Sequence, residues 1–289
     1  MLLAVAAGVL GWRFFTGGIG SNILPKNTHA EMVLGFVPAG SAFSFDIKDG
    51  VAPIASPLAD MQVMDHVKDG DTEYYLLGNT GAYSSNIYRV VGGEVVQLTN
   101  SATLKFDLAY DSSTATFAYM AGTPEGTSFD AFAGTEWSLA MFSETSGERT
   151  GLGVGRAPTF VNGGTQVLMA TGGSLVLVDV YTGESNELLE LELNTPFAVS
   201  LQSSTVAIFN HETNAIDYFT LSGTSASYRE SDMVEDVPLT LTFAGDTLIM
   251  TSVTDDRSSI HVSRVGGPSV TIENPAVPFV PQKLMITYE

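Results

Sequence analysis

Asp65, Asp69 and Asp71, in the stretch DHVKDGDTE, are the closest this chain comes to a set of hard oxygen donors, the kind of ligand that Ca²⁺ prefers. Their order, D-x-x-x-D-G-D, departs from the EF-hand loop. An Asp-Gly pair is also what a tight hairpin turn selects, so the triplet is a weak calcium candidate set against a turn reading. Thr254-Asp255-Asp256-Arg257 is a second acidic loop of the same kind. The four histidines, His29, His66, His211 and His261, show no pair at metal-ligand spacing. Gly151-Leu152-Gly153-Val154-Gly155-Arg156 has the glycines of a phosphate loop but neither a sixth-position glycine nor a following helix. G-x-S-x-G, H-E-x-x-H and P-loop motifs are missing, and there is no cysteine to act as nucleophile, thiolate ligand or disulfide partner. These residues predict no catalytic group, no cofactor and no metal beyond the weak calcium candidate. A carboxylate pair for glycan chemistry leaves no linear signature, and 32 acids keep that alternative open.

The elements that must position such groups are short. Hydrophobic residues make up 44% and charged ones 15%, enough apolar mass for a packed core. Twenty-nine glycines sit with Ser, Thr, Asn and Asp between runs of Val, Leu, Phe and Tyr, the punctuation of many tight turns, which predicts an all-β protein. Twelve Lys and Arg against 32 acids give a net charge of −20 with no basic cluster in the folded part, and this excludes nucleic acid as an expected partner.

Residues Leu2 to Phe15 are almost wholly apolar and stop at Thr16-Gly17-Gly18. The run is signal-like in length rather than long enough to span a bilayer, and the only base in it, Arg13, follows its apolar run. On a helix, Ala4, Ala7, Gly8 and Gly11 form one face of small residues on which a second helix can pack. Residues 1–17 are therefore expected to be a hydrophobic helix, an anchor in a membrane or in the core of an assembly, with 18–38 a linker and 39–289 the folded body.

Internal periodicity sets the fold. In Asn86 to Ala121, a strand, a Gly-Gly turn, a second strand ending in Gln97-Leu98-Thr99, and strands at Phe106 to Tyr110 and Thr116 to Met120 follow in order. Leu98-Thr99, Asp107, Ala109-Tyr110 and Phe117-Ala118-Tyr119 resemble the WD40-like repeat of the TolB family of β-propellers, with Ser113-Thr114 in place of that family's Asp-Gly. Similar hairpin pairs run through the chain. They predict a propeller of six blades, with seven as the alternative. Its last blade combines two C-terminal strands, residues 277 to 288 turning at Pro281-Gln282, with two N-terminal strands between Phe43 and Ile54. Met32 to Val37 is left over.

The resemblance implies an extracytoplasmic interaction platform. The sequence reading is therefore a non-enzymatic propeller at the cell surface or facing the periplasm, meeting a protein partner or copies of itself. Its alternatives are a pilin-like filament subunit packed through the N-terminal helix, and a secreted enzyme acting on glycans or peptides. Phe129 and Phe132, in the insertion Gly122 to Thr135, form a possible contact loop.

Overall fold

The computed structural model describes residues 23–24, 28–34, 41–46, 50–78, 84–126, 131, 134–192, 195–274 and 281–288. Every named element among them is a strand. In chain order these are β1 (Thr28–Leu34), β2 (Ser41–Asp46), β3 (Gly50–Pro53), β4 (Gln62–Asp69), β5 (Thr72–Gly78), β6 (Ser85–Val91), β7 (Glu94–Gln97) and β8 (Leu104–Asp111). There follow β9 (Thr116–Gly122), β10 (Ser138–Ser143), β11 (Gly147–Arg149), β12 (Arg156–Val161), β13 (Gln166–Ala170), β14 (Ser174–Asp179), β15 (Ser185–Glu190) and β16 (Phe197–Ser200). The last are β17 (Thr205–Asn210), β18 (Ala215–Ser222), β19 (Ser225–Met233), β20 (Thr240–Ala244), β21 (Thr247–Val253), β22 (Ser259–Arg264), β23 (Ser269–Glu273) and β24 (Pro281–Tyr288).

Five blades are four-stranded antiparallel sheets made of consecutive strands: β4–β7, β8–β11, β12–β15, β16–β19 and β20–β23. Their middle strands read as near-continuous apolar runs, such as QVLMA in β13 and SLVLVD in β14, because a sheet stacked between two others is buried on both faces. Outer strands such as β15, SNELLE, face solvent and turn polar. Between β6 and β7 the turn runs through Gly92 and Gly93 at φ 58° and 86°, the paired left-handed geometry that a two-residue hairpin needs.

A further four-stranded sheet has the order β24-β1-β2-β3 and joins the two ends of the chain. Apolar clusters lie between each neighbouring pair of sheets around the ring. Met32 and Leu34 of this shared sheet pack with Ile249 and Ile260 on one side, and its Val33 packs with Val63 and Leu77 on the other. Each fully buried side chain of this size stabilises the fold by roughly 1.5–3 kcal/mol. The two end interfaces therefore close the ring in the same way as the internal ones.

The expected ring of six or seven blades behind an N-terminal helix is corrected in three respects. Five blades of consecutive strands are present rather than six or seven, and the further sheet that joins the chain's ends takes one C-terminal and three N-terminal strands rather than two of each. Pro281-Gln282 is not a turn but the start of β24, where a bulge between the Val33 and Leu34 pairings absorbs Gln282. The strand left over in the sequence is β1, inside the stretch read as a linker, and Ile23 before it is buried in the core. No seventh sheet occurs among the described residues. The helix expected at 1–17 lies outside them, and among them no helix is long and apolar enough to cross a membrane.

Candidate functional site: the axial channel

Strands β4, β8, β12, β16, β20 and β24, the innermost of their sheets, line a single cavity of roughly 1100 Å³. One side of it is charged. Asp65 and Asp107 hold matching places, each four residues before the strand ends at Asp69 and Asp111, and each beside a bulge in its strand's pairing. The next inner strand, β12, is bulged at the same level, between Arg156 and Thr159. At these bulges Asp107 and Ala157 take the left-handed conformation, φ 53° and 50°, and backbone amides are released from the ladder.

The carboxylates collect those amides. Leu108 N–H of β8 donates to Asp65 Oδ2 at 2.8 Å, and Ala157 N–H of β12 donates to Asp107 Oδ2 at 2.9 Å. Each aspartate thus stitches its own inner strand to that of the following blade. From the shared sheet, Lys283 Nζ donates to Asp65 Oδ2 and to the Leu108 carbonyl, both at 2.6 Å. At the other end of the arc, Arg156 Nη2 donates to the Thr195 carbonyl at 2.9 Å, just ahead of β16. The result is a chain of charge-assisted hydrogen bonds from β24 through β4, β8 and β12 to the edge of β16.

Burial raises the Asp107 carboxyl above the ordinary aspartate range. Lys283, the Ala157 amide and Arg156 pull it back, and the neighbouring Asp65 charge adds to the rise. Burial likewise lowers the Arg156 guanidinium, with Asp107 opposing. A second contact ties the shared sheet to the blade that follows it: His66 Nδ1 of β4 lies 2.8 Å from Glu31 Oε2 of β1, and its ring packs at a tilt against Tyr75, 4.5 Å between centroids. His66 Nε2 is 3.9 Å from Glu73 Oε2.

Across the channel, β16 and β20 contribute Phe197, Val199, Leu241 and Phe243 to the wall. The cavity thus offers a charged arc and an apolar arc to whatever enters it.

Of the calcium candidates, Asp65 is 1% exposed within the arc, whereas Asp69 and Asp71 stand exposed beside the Gly70 turn between β4 and β5. Among the described residues no three His, Asp or Glu side chains group as a metal site. Asp256 is held at about 2 by the Ser258 amide and by the Thr254 and Ser258 hydroxyls, which makes its loop a self-capped turn. Gly153 and Gly155 pack against Met169, and the motif they belong to ends at Arg156, whose part in the arc its glycines do not announce. Ala4, Ala7, Gly8, Gly11, Phe129 and Phe132 lie outside the described residues. Glu31, Lys283 and Arg156 were not legible as site residues. The recurrence Asp65-x-Val67 and Asp107-x-Ala109 is the one signal that marks the arc.

No family model matches this chain, and no curated relative does. Among solved structures it is similar to one described as the nidogen/laminin complex, at TM-score 0.62 and 12% identity over 90% of this chain and 98% of that one. It is also similar to TolB from Acinetobacter baumannii, at TM-score 0.59 and 11% identity over 93% and 68% of the two chains. A third is an oligogalacturonate lyase in complex with manganese, at TM-score 0.54 and 9% identity over 86% and 79%. At such identities the likeness is one of fold, and the fold is a β-propeller.

Proposed function

We propose that this chain is a non-enzymatic, extracytoplasmic propeller of the TolB-like kind that serves protein–protein contacts. The observation that carries the reading is how the ionised groups of the channel are used. Asp65, Asp107, Lys283 and Arg156 are engaged in joining one blade to the next, so the side chains best placed for chemistry on the axis are those that hold the ring together. Of the fold neighbours, the one described as a nidogen/laminin complex supports the reading by naming a protein–protein complex, and TolB supports it by the likeness of its fold. In this reading residues 1–17 tether the propeller to a membrane or an assembly core, with Ala4, Ala7, Gly8 and Gly11 as the packing face and Phe129 and Phe132 as a contact loop. In the filament version, the chain lacking residues 1–18 is a monomer that does not polymerise; normal filaments from it refute that version.

The competing enzyme reading has one observation in its favour. Asp65 and Asp107 approach the same lysine beside the cavity, in a fold shared with a lyase. The deciding experiment incubates the full chain with oligogalacturonate, with and without Mn²⁺, and follows the unsaturated product. Interaction without catalysis predicts no product above the protein-free control. Turnover that disappears in Asp107→Asn overturns it.

A further inference from the structure

The rim of the ring is uneven, and the uneven part has a chemistry. The outermost strands β3, β7, β11, β15 and β23 run to 4, 4, 3, 6 and 5 residues, whereas β19 has 9. All of β19 except Ala226 is exposed, including Tyr228 at 60% and Met233 at 71%. Its outer edge pairs with no strand among the described residues. A long open edge is a template for another strand unless something turns candidates away.

Charge does the turning away here, and selectively. Glu230 and Asp232 lie on β19, Glu235 and Asp236 follow it, and Glu187 and Glu190 stand on the adjoining rim strand β15, all exposed. The β15–β19 boundary is bridged by Asn186 Nδ2 donating to the Thr224 carbonyl at 3.0 Å. Arg229, the one base in this group, is already paired with Glu230 at 3.1 Å. A second copy of a chain with net charge −20 is repelled from such an edge, and a cationic strand is attracted to it.

We propose that β19 is a docking edge for an extended Lys- or Arg-rich segment of a partner protein, which adds as a further strand and sets its apolar side chains against Tyr228 and Met233. The proposal rests on the interaction reading above and gives that reading a surface and a partner class. The bulge opposite Tyr218 and Phe219 interrupts the strand at Arg229, so the docked segment pairs along Glu230–Met233, where the carboxylates are.

The test uses the full chain and a short fluorescent peptide of alternating Lys and Val, with a Glu-Val peptide as control. Anisotropy is expected to report saturable binding of the Lys-Val peptide alone, weakened about tenfold by the pair Glu230→Lys and Asp232→Lys. Glu94→Lys with Glu273→Lys, on other rim strands, makes the same change in net charge and is expected to leave binding unaltered. Tyr228→Ser with Met233→Ser keeps the charge and is expected to weaken binding about threefold, which long-range attraction alone would not do. Amide exchange should slow over Glu230–Met233 and not over Glu94–Gln97. No binding, equal loss in both charge-reversal pairs, or slowing spread over several rim strands overturns the docking edge. None of these results bears on uronate turnover, so failure here is separable from failure of the non-enzymatic reading.

Discussion

The two halves of the axial channel hold the same kind of strand by different forces. On the side of β24, β4, β8 and β12, inner strands are tied across blades by Asp65, Asp107, Lys283 and Arg156, while the walls of β16 and β20 are apolar and the hydroxyl pair on that side, Thr240 Oγ1 to Thr251 Oγ1 at 2.6 Å, lies within one blade, between β20 and β21. The charged half contains the seam where the polypeptide's two ends meet. Between consecutive blades the chain itself limits separation, whereas at the seam only packing and polar contacts oppose opening, and Lys283 to Asp65 spans 218 positions. Lys283 thus places directional bonds where connectivity gives the least help, and the aspartate and arginine bonds carry the same stitching on through consecutive blades.

The contrast breaks most severely at Lys283. Lys283→Met leaves the Asp65 carboxylate, 2% exposed, without its cation, and loss of one partner of a buried pair typically costs about 3–5 kcal/mol. Urea unfolding is expected to show most of that loss, and the double variant with Asp65→Asn is expected to recover part of it because no unpaired charge remains. A loss in the double variant equal to the sum of the single losses would deny that the two side chains are coupled.

Next is Asp107. Asp107→Ala leaves the Ala157 amide without its acceptor and places alanine at φ 53°, a combined destabilisation of about 2–3 kcal/mol. Asp107→Asn keeps an acceptor oxygen and tolerates the backbone, so the two variants separate hydrogen bond from charge. Burial raises the folded-state pKa of Asp107, so folding shifts its carboxyl toward the protonated form relative to the unfolded chain. The wild type therefore loses stability relative to Asp107→Asn as pH rises from the ordinary carboxylate range through the raised value, and keeps it below that range. Melting both proteins across this window checks the sign; a difference that grows in the opposite direction contradicts it.

On the apolar half the expected effects shrink. Thr240 and Thr251 satisfy each other while buried, so Thr240→Val alone strands the partner hydroxyl and costs about 1–2 kcal/mol, whereas both changed to Val together are near neutral. That near-neutrality is the counterpart of the Lys283 result, because a neutral pair is replaceable by apolar groups where an ion pair missing one member is not.

How much of this the sequence showed follows the same division. The five self-contained blades rest on local signals, apolar runs broken by turns such as Gly92-Gly93, and those runs place β4 to β23 close to where they lie. The shared sheet rests on contacts between the chain's extremes. Thr28–Leu34 has no hairpin partner beside it in the sequence, and Pro281-Gln282 is the kind of pair that makes turns, so local signals leave β1 without a place in a blade and split β24 in two. Within the channel, Asp107 was visible as part of a repeat. Lys283 and Glu31 were not, because nothing local distinguishes a lysine that will meet Asp65 from any surface lysine.

The smallest expected effect lies away from the axis, at Asp256, and gives the baseline for the others. Its carboxylate closes a loop by accepting the Ser258 amide at 3.0 Å and the Thr254 and Ser258 hydroxyls, each at 2.7 Å, and these bonds hold it near 2 although it is in solvent. A folded-state pKa below the unfolded value adds stability that is present above the ordinary aspartate range and fades as pH falls toward 2. Asp256→Asn is expected to flatten only this acid limb and to leave the melting temperature at neutral pH almost unchanged, since asparagine keeps one acceptor for the turn. A change at neutral pH as large as that of Asp107→Ala would mean that rim turns stabilise the ring as much as the axial stitching does, and the division between the two halves of the channel would lose its meaning.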